Sequence, residues 1–243
     1  MSNEITKKET SSLMQTDKNQ RGFESGVDQE DLIIPRAKLI QALSPEMQEG
    51  LEGVKIGSII NSLTKEMLPD EFIPIFAFKH YIRFNPRSKD DPSFDPAFEP
   101  GAIIWRSSDP SDPLVQEQTK FGRNGEKPVA TTFLNFFSYF PGVPMPVIVS
   151  FSKTSYRSGK QLLSLGKFCG GDMFSRKYKL MSQMETNDIG TYAVLKVTPI
   201  GNSSPDDFAI CEKLWTDFSA KAKDIQVHTE EESTEESTEK RPY

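Results

Sequence analysis

Phe72-Ile73-Pro74-Ile75-Phe76-Ala77-Phe78-Lys79-His80-Tyr81-Ile82-Arg83-Phe84 is the stretch that decides the fold class. From Phe76 onward its large side chains alternate with a period of two. A strand needs that period and a helix does not have it. Phe76, Phe78, His80, Ile82 and Phe84 fall on one face. Lys79, Tyr81 and Arg83 fall on the other. The first face suits a core, and the second is amphipathic and basic.

Further strands flank this one. Residues 130–140 are β-branched and aromatic, and Pro141-Gly142-Val143-Pro144 turns the chain into a second apolar run at 145–151. Residues 56–63 and 102–106 are shorter candidates, and residues 36–43 read as an extended piece or a helical turn. Residues 178–185 and 191–200 pair through a polar turn. Loops fill the rest: four prolines lie within 85–101, Asp109-Pro110-Ser111-Asp112-Pro113 turns the chain, and Asn124-Gly125 marks a hairpin tip.

Two helices are expected. Residues 154–165 form a short one, with Leu162, Leu163 and Leu165 as its apolar side. A clearer one begins with Ser204 as cap and Pro205 in the first turn, and runs to about 221. Phe208, Cys211, Leu214, Trp215 and Phe218 give it an apolar stripe. The expected fold class is mainly β with α: an OB-like β-barrel with a short helix between strands and a C-terminal packing helix.

The chain has 243 residues and a net charge of −6. The charge is uneven. Residues 1–31 carry −3 and residues 224–243 carry −5, which leaves +2 for residues 32–223. Residues 1–30 lack a periodic apolar face, and the Glu-rich run from Glu230 to Glu239 buries nothing. Both are expected to be disordered, around a single OB-like β-rich domain at 31–223. No segment has the apolar length to span a bilayer, and residues 1–20 hold no stretch resembling an export signal. The expected location is the cytoplasm. Cys169 and Cys211 have neither metal nor redox spacing, and two histidines, His80 and His228, give little basis for zinc or His-based catalysis.

The chemistry-bearing segment is 153–179. Lys153, Arg157, Lys160, Lys167, Arg176, Lys177 and Lys179 face a single acid, Asp172, for a local charge of +6. Phe151, Tyr156, Phe168, Phe174 and Tyr178 are interleaved. Cations along phosphates with rings for bases to stack on are what a single-stranded nucleic acid requires. The plainer reading is a solvated basic face over core rings. Lys79, Tyr81 and Arg83, with Arg87, offer a second platform, and Lys120, Arg123 and Lys127 sit on a glycine-containing loop able to close over a groove. The Glu-rich tail reads as a solvating segment, a flexible hook for other proteins, or an internal DNA mimic competing for the basic groove. Phosphate-loop and nucleophile-elbow motifs are absent from the sequence, so no catalytic residue, metal or cofactor is expected.

Leu32-Ile33-Ile34-Pro35-Arg36-Ala37-Lys38-Leu39-Ile40-Gln41-Ala42-Leu43-Ser44-Pro45-Glu46 and VIVSFSKTSYRSGKQLLSL at 147–165 resemble a family of bacteriophage-encoded replication or recombination accessory proteins. Asn61-Ser62-Leu63-Thr64 and Phe72-Ile73-Pro74-Ile75 fit the same pattern. The likeness covers roughly 31–215 and is looser at 85–128. That family is similar to single-stranded-DNA-binding proteins of the OB-fold type. The resemblance implies DNA contact by Lys153, Tyr156, Arg157 and Lys160. One departure is the tail: Glu239 is followed by Lys240-Arg241-Pro242-Tyr243 rather than by a purely acidic and apolar end.

The resulting expectation is a non-catalytic single-stranded-DNA binder with a groove formed by Lys79, Tyr81, Arg83, Lys120, Arg123, Lys153, Tyr156, Arg157, Lys160, Lys167, Arg176, Lys177, Tyr178 and Lys179. Two alternatives stand beside it. One is a protein-interaction module, such as a phage inhibitor of a host enzyme. The other is a metal-dependent nuclease using dispersed carboxylates.

Overall fold

A computed structural model describes residues 33–123, 125–168, 170–187 and 190–221. The two ends expected to be disordered, 1–30 and 224–243, lie outside the described residues.

The decisive stretch is strand β3, Glu71–Phe84. It is the hub of the sheet because three strands pair with it. Its start pairs with β7 (Arg176–Asn187), its middle with β5 (Thr131–Tyr139) and its end with β4 (Ile103–Ser107), all antiparallel. β5 also pairs with β6 (Val147–Phe151), and β7 forms a long hairpin with β8 (Gly190–Asn202). The strand order is β6-β5-β3-β7-β8, with β4 beside β3. A separate two-stranded sheet joins β1 (Ala37–Leu39) to β2 (Ile59–Asn61). Four α-helices complete the described residues: α1 (Pro45–Glu49), α2 (Pro113–Gln118), α3 (Tyr156–Phe168) and α4 (Pro205–Phe218).

The fold is mainly β with α, as the strand pattern predicts, but the sheet does not close into a barrel. Both ends of the strand order are occupied by something other than each other. The Ile148 amide of β6 donates to the Pro35 carbonyl at 2.8 Å. On β8, the Gln41 side chain takes the place of a neighbouring strand. Its Oε1 accepts from the Ala193 amide and its Nε2 donates to the Ala193 carbonyl, both at 2.9 Å. The Leu195 amide donates to Ser155 Oγ at 3.0 Å. Residues 35–41 thus span between β6 and β8, so no ladder forms there. The β-barrel expectation is corrected to an open sheet.

The sheet is covered on both faces. On one, α3 inserts Leu162 into a core of Phe72, Phe136, Phe140, Val149, Phe151, Tyr178 and Leu180. On the other, α4 places Cys211, Leu214 and Phe218 against Ile73, Ile75, Phe137 and Ile148. A sheet buried on both faces shows less of the apolar–polar alternation that marks a one-sided sheet. Tyr81 is accordingly buried at 7% exposure, and a register shift between Pro74 and Phe76 moves the face assignments along β3.

Helix boundaries follow local chemistry. Ser204 Oγ accepts from the Asp207 amide at 3.1 Å and donates to Asp207 Oδ2 at 2.7 Å, which fixes the start of α4. Trp215, assigned by periodicity to the apolar stripe, is 46% exposed instead. In α2, Asp112 Oδ1 accepts from the Leu114 amide and Pro113 occupies the first turn, so the turn expected at 109–113 leads into a helix. α1 is tied down by charge. Burial pushes the Glu46 carboxyl up, but Lys38 and Lys65 Nζ, at 2.9 and 3.0 Å from Oε1, outweigh it and bring it down to about 2.

Candidate nucleic-acid interface

The expected basic segment is divided by the fold. β6 ends at Phe151, a short 3₁₀ turn covers Lys153–Ser155, and α3 follows directly. Lys153 has a left-handed backbone, φ 47°, unusual for a residue with a side chain and common where a chain is held by its surroundings. Along α3 the inward residues are Ser158, Gly159 and Leu162. Arg157, Lys160, Gln161, Ser164, Lys167 and Phe168 are exposed. α3 contains no acidic residue.

Seating this helix requires Gly159. A Cβ there would lie 2.7 Å from Phe151 Cβ and 3.2 Å from Leu134 Cδ2. The close approach fixes how the basic face is presented. It also relates α3 to β3, because Leu134 is the cross-strand partner of Lys79. Lys79 is exposed and lies on the α3 side of the sheet, so it and the α3 cations share one side of the molecule.

Charge pairing separates these residues from the remaining candidates. Lys177 Nζ lies 3.3 Å from Glu71 Oε2, and Lys179 Nζ lies 2.8 Å from Asp70 Oδ2. The Lys179 bond holds the Asp70 carboxyl below its ordinary range. Alternation along β7 also directs Lys177 and Lys179 away from Tyr178 and Leu180, which face the α3 core. These two lysines are therefore not part of the α3 face. Arg176 is half-buried at the start of β7. By contrast, none of Lys153, Arg157, Lys160 and Lys167 forms an ion pair among the described residues. Lys160 Nζ sits over the Tyr156 ring, 5.7 Å from its centroid.

The rings are corrected more sharply. Tyr178 is 0% exposed and packs on Phe72 at a centroid distance of 6.1 Å. Tyr81 is buried as well. Neither presents a face to solvent, so both leave the expected groove. Tyr156 is half-buried against the core. Arg83 is half-buried and reaches Gln118 Oε1 and the Ser93 carbonyl, each at 3.4 Å, so it braces the end of α2 and the 85–101 loop. Lys120 and Arg123 are exposed on the segment between α2 and β5. Phe168, one of the interleaved rings, is the exposed one. The available signal was angular. At about 100° per residue, Phe168 falls within about 20° of Arg157 around the helix, on the solvent side.

Among the described residues, no group of three or more His, Cys, Asp or Glu side chains could hold a metal ion. No helix there is long and apolar enough to cross a membrane. No curated protein and no solved structure matches the chain. A family model does match, over residues 5–224, and its description agrees with the bacteriophage origin that the resemblance implied. The chain belongs to the Pam3 phage gp34-like protein family.

Proposed function

We propose that this phage protein binds single-stranded DNA without catalysis, in replication or recombination, across the outward side of α3. The observation that carries the reading is the row of four cations, Lys153, Arg157, Lys160 and Lys167. They are free of acidic partners among the described residues, while Lys177, Lys179 and Lys196 are each matched to a carboxylate. Unneutralised cations on one helix face and on the turn that leads into it suit a phosphate chain, and Lys79 widens the same side. Tyr81, Tyr178, Lys177 and Lys179 have no part in it.

Four phosphate contacts on a single strand give a log–log salt slope of about −3, so a fourfold rise in salt should lower affinity about 50-fold. The test is an anisotropy titration of labelled oligonucleotides at two salt concentrations. The triple variant R157E/K160E/K167E should lose most of the binding and most of the salt dependence. No binding of the unmodified protein to single strands at low salt would sink the reading. So would a triple variant that binds unchanged.

A further inference from the structure

Four rings are interleaved with the cations of residues 153–179 and a fifth, Phe151, just precedes them, and their environments differ. Phe151 and Tyr178 are fully buried and Phe174 is 5% exposed. Tyr156 is half-buried with Lys160 above it. Phe168 is 86% exposed. It ends α3 immediately after Lys167, and the chain then turns away through Gly170, whose φ of 74° suits glycine and which has open space around it. The ring therefore stands clear at one end of the cation row.

A single exposed apolar residue is ordinary on a protein surface. Position makes this one different. Phe168 lies on the same helix face as Arg157, about 16 Å along the axis at 1.5 Å per residue. That length matches up to about five stacked nucleotides at 3.4 Å each. A phosphate chain laid along Arg157, Lys160 and Lys167 brings its bases to the Phe168 ring.

Resting on the reading above, we infer that Phe168 is the base-stacking platform of this face and the residue that makes it prefer an unpaired strand to a duplex. Bases of a duplex are already stacked and cannot lie on the ring. Bases of a single strand can, and aromatic stacking accepts any of the four.

The experiment compares wild type, Phe168→Ala and Phe168→Trp by anisotropy on three probes of equal length: an oligothymidine strand, the same backbone with abasic sites, and a duplex. Phe168→Ala should weaken binding to the strand about tenfold, with its salt slope unchanged. It should bind the abasic strand and the duplex as wild type does. Phe168→Trp should keep strand affinity and add an indole signal, beyond that of Trp105 and Trp215, which the strand quenches. Equal melting temperatures would show that the exposed position leaves the fold intact. If Phe168→Ala binds the strand like wild type, while the triple charge variant does not bind, the stacking role falls and the basic face stands. An equal loss on normal and abasic strands also overturns it. If wild type binds no strand, both ideas fall.

Discussion

His80 sits at 4% exposure with its Nδ1 3.3 Å from Asn135 Nδ2, while Asn135 Oδ1 accepts from Ser150 Oγ at 2.7 Å. The amide nitrogen donates, so Nδ1 accepts and the ring is neutral with its proton on Nε2. Burial, and then the nearby Arg106 charge, push its pKa down to about 4. The sign follows. In the unfolded chain the imidazole takes a proton near pH 6.5, and in the folded one it does so only near 4. Stability is full above pH 6.5 and is lost as pH falls toward 4, by about 2 kcal/mol between pH 7 and pH 5. Urea unfolding of wild type and His80→Gln at those two pH values checks it: the variant should lose much less. A wild-type midpoint independent of pH would contradict the buried neutral ring. At this scale the sequence was least legible. Residue types at Tyr81 and Tyr178 say nothing of whether either ring is covered. That depends on elements packing from both sides of the sheet.

α3 is the element on which the function turns, and Gly159 is what lets it approach. Alanine is the better helix former by about 1 kcal/mol. Its methyl would nevertheless meet Phe151 Cβ and Cγ at 2.7 and 2.9 Å, atoms fixed close to the β6 backbone. The clash should prevail, and Gly159→Ala should be less stable by about 2 kcal/mol overall. Thermal or denaturant unfolding reads this directly, and an unchanged or raised melting temperature would refute it. Elements were read well where the signal was local. Ser204, Pro205 and Asp207 announce α4, and the alternation in 72–84 announces β3. α2 was missed because Asp112-Pro113 serves a turn and a helix start alike. β4 emerged one residue from its expected position.

At the scale of the molecule, the charge division read from the sequence gives the tail a testable place. Residues 224–243 carry −5 and would compete with phosphates for the α3 cations through unscreened charge. Deleting them should tighten binding to single strands severalfold at low salt and leave it unchanged at high salt, as read by the same titration. Equal affinity at low salt would assign the tail a solvating or partner-recruiting role. The open sheet was not legible in the sequence, because closure is decided by what lies beside β6 and β8. No local pattern encodes that Gln41 would meet a residue 152 positions away. The amide of that one side chain presents a donor and an acceptor in the spacing of a peptide group. It therefore occupies the hydrogen-bonding positions that a strand from a second molecule would need at Ala193. An exposed outer strand invites aggregation by intermolecular pairing. A glutamine bonded to Ala193, near the start of β8, blocks that route there without adding a strand.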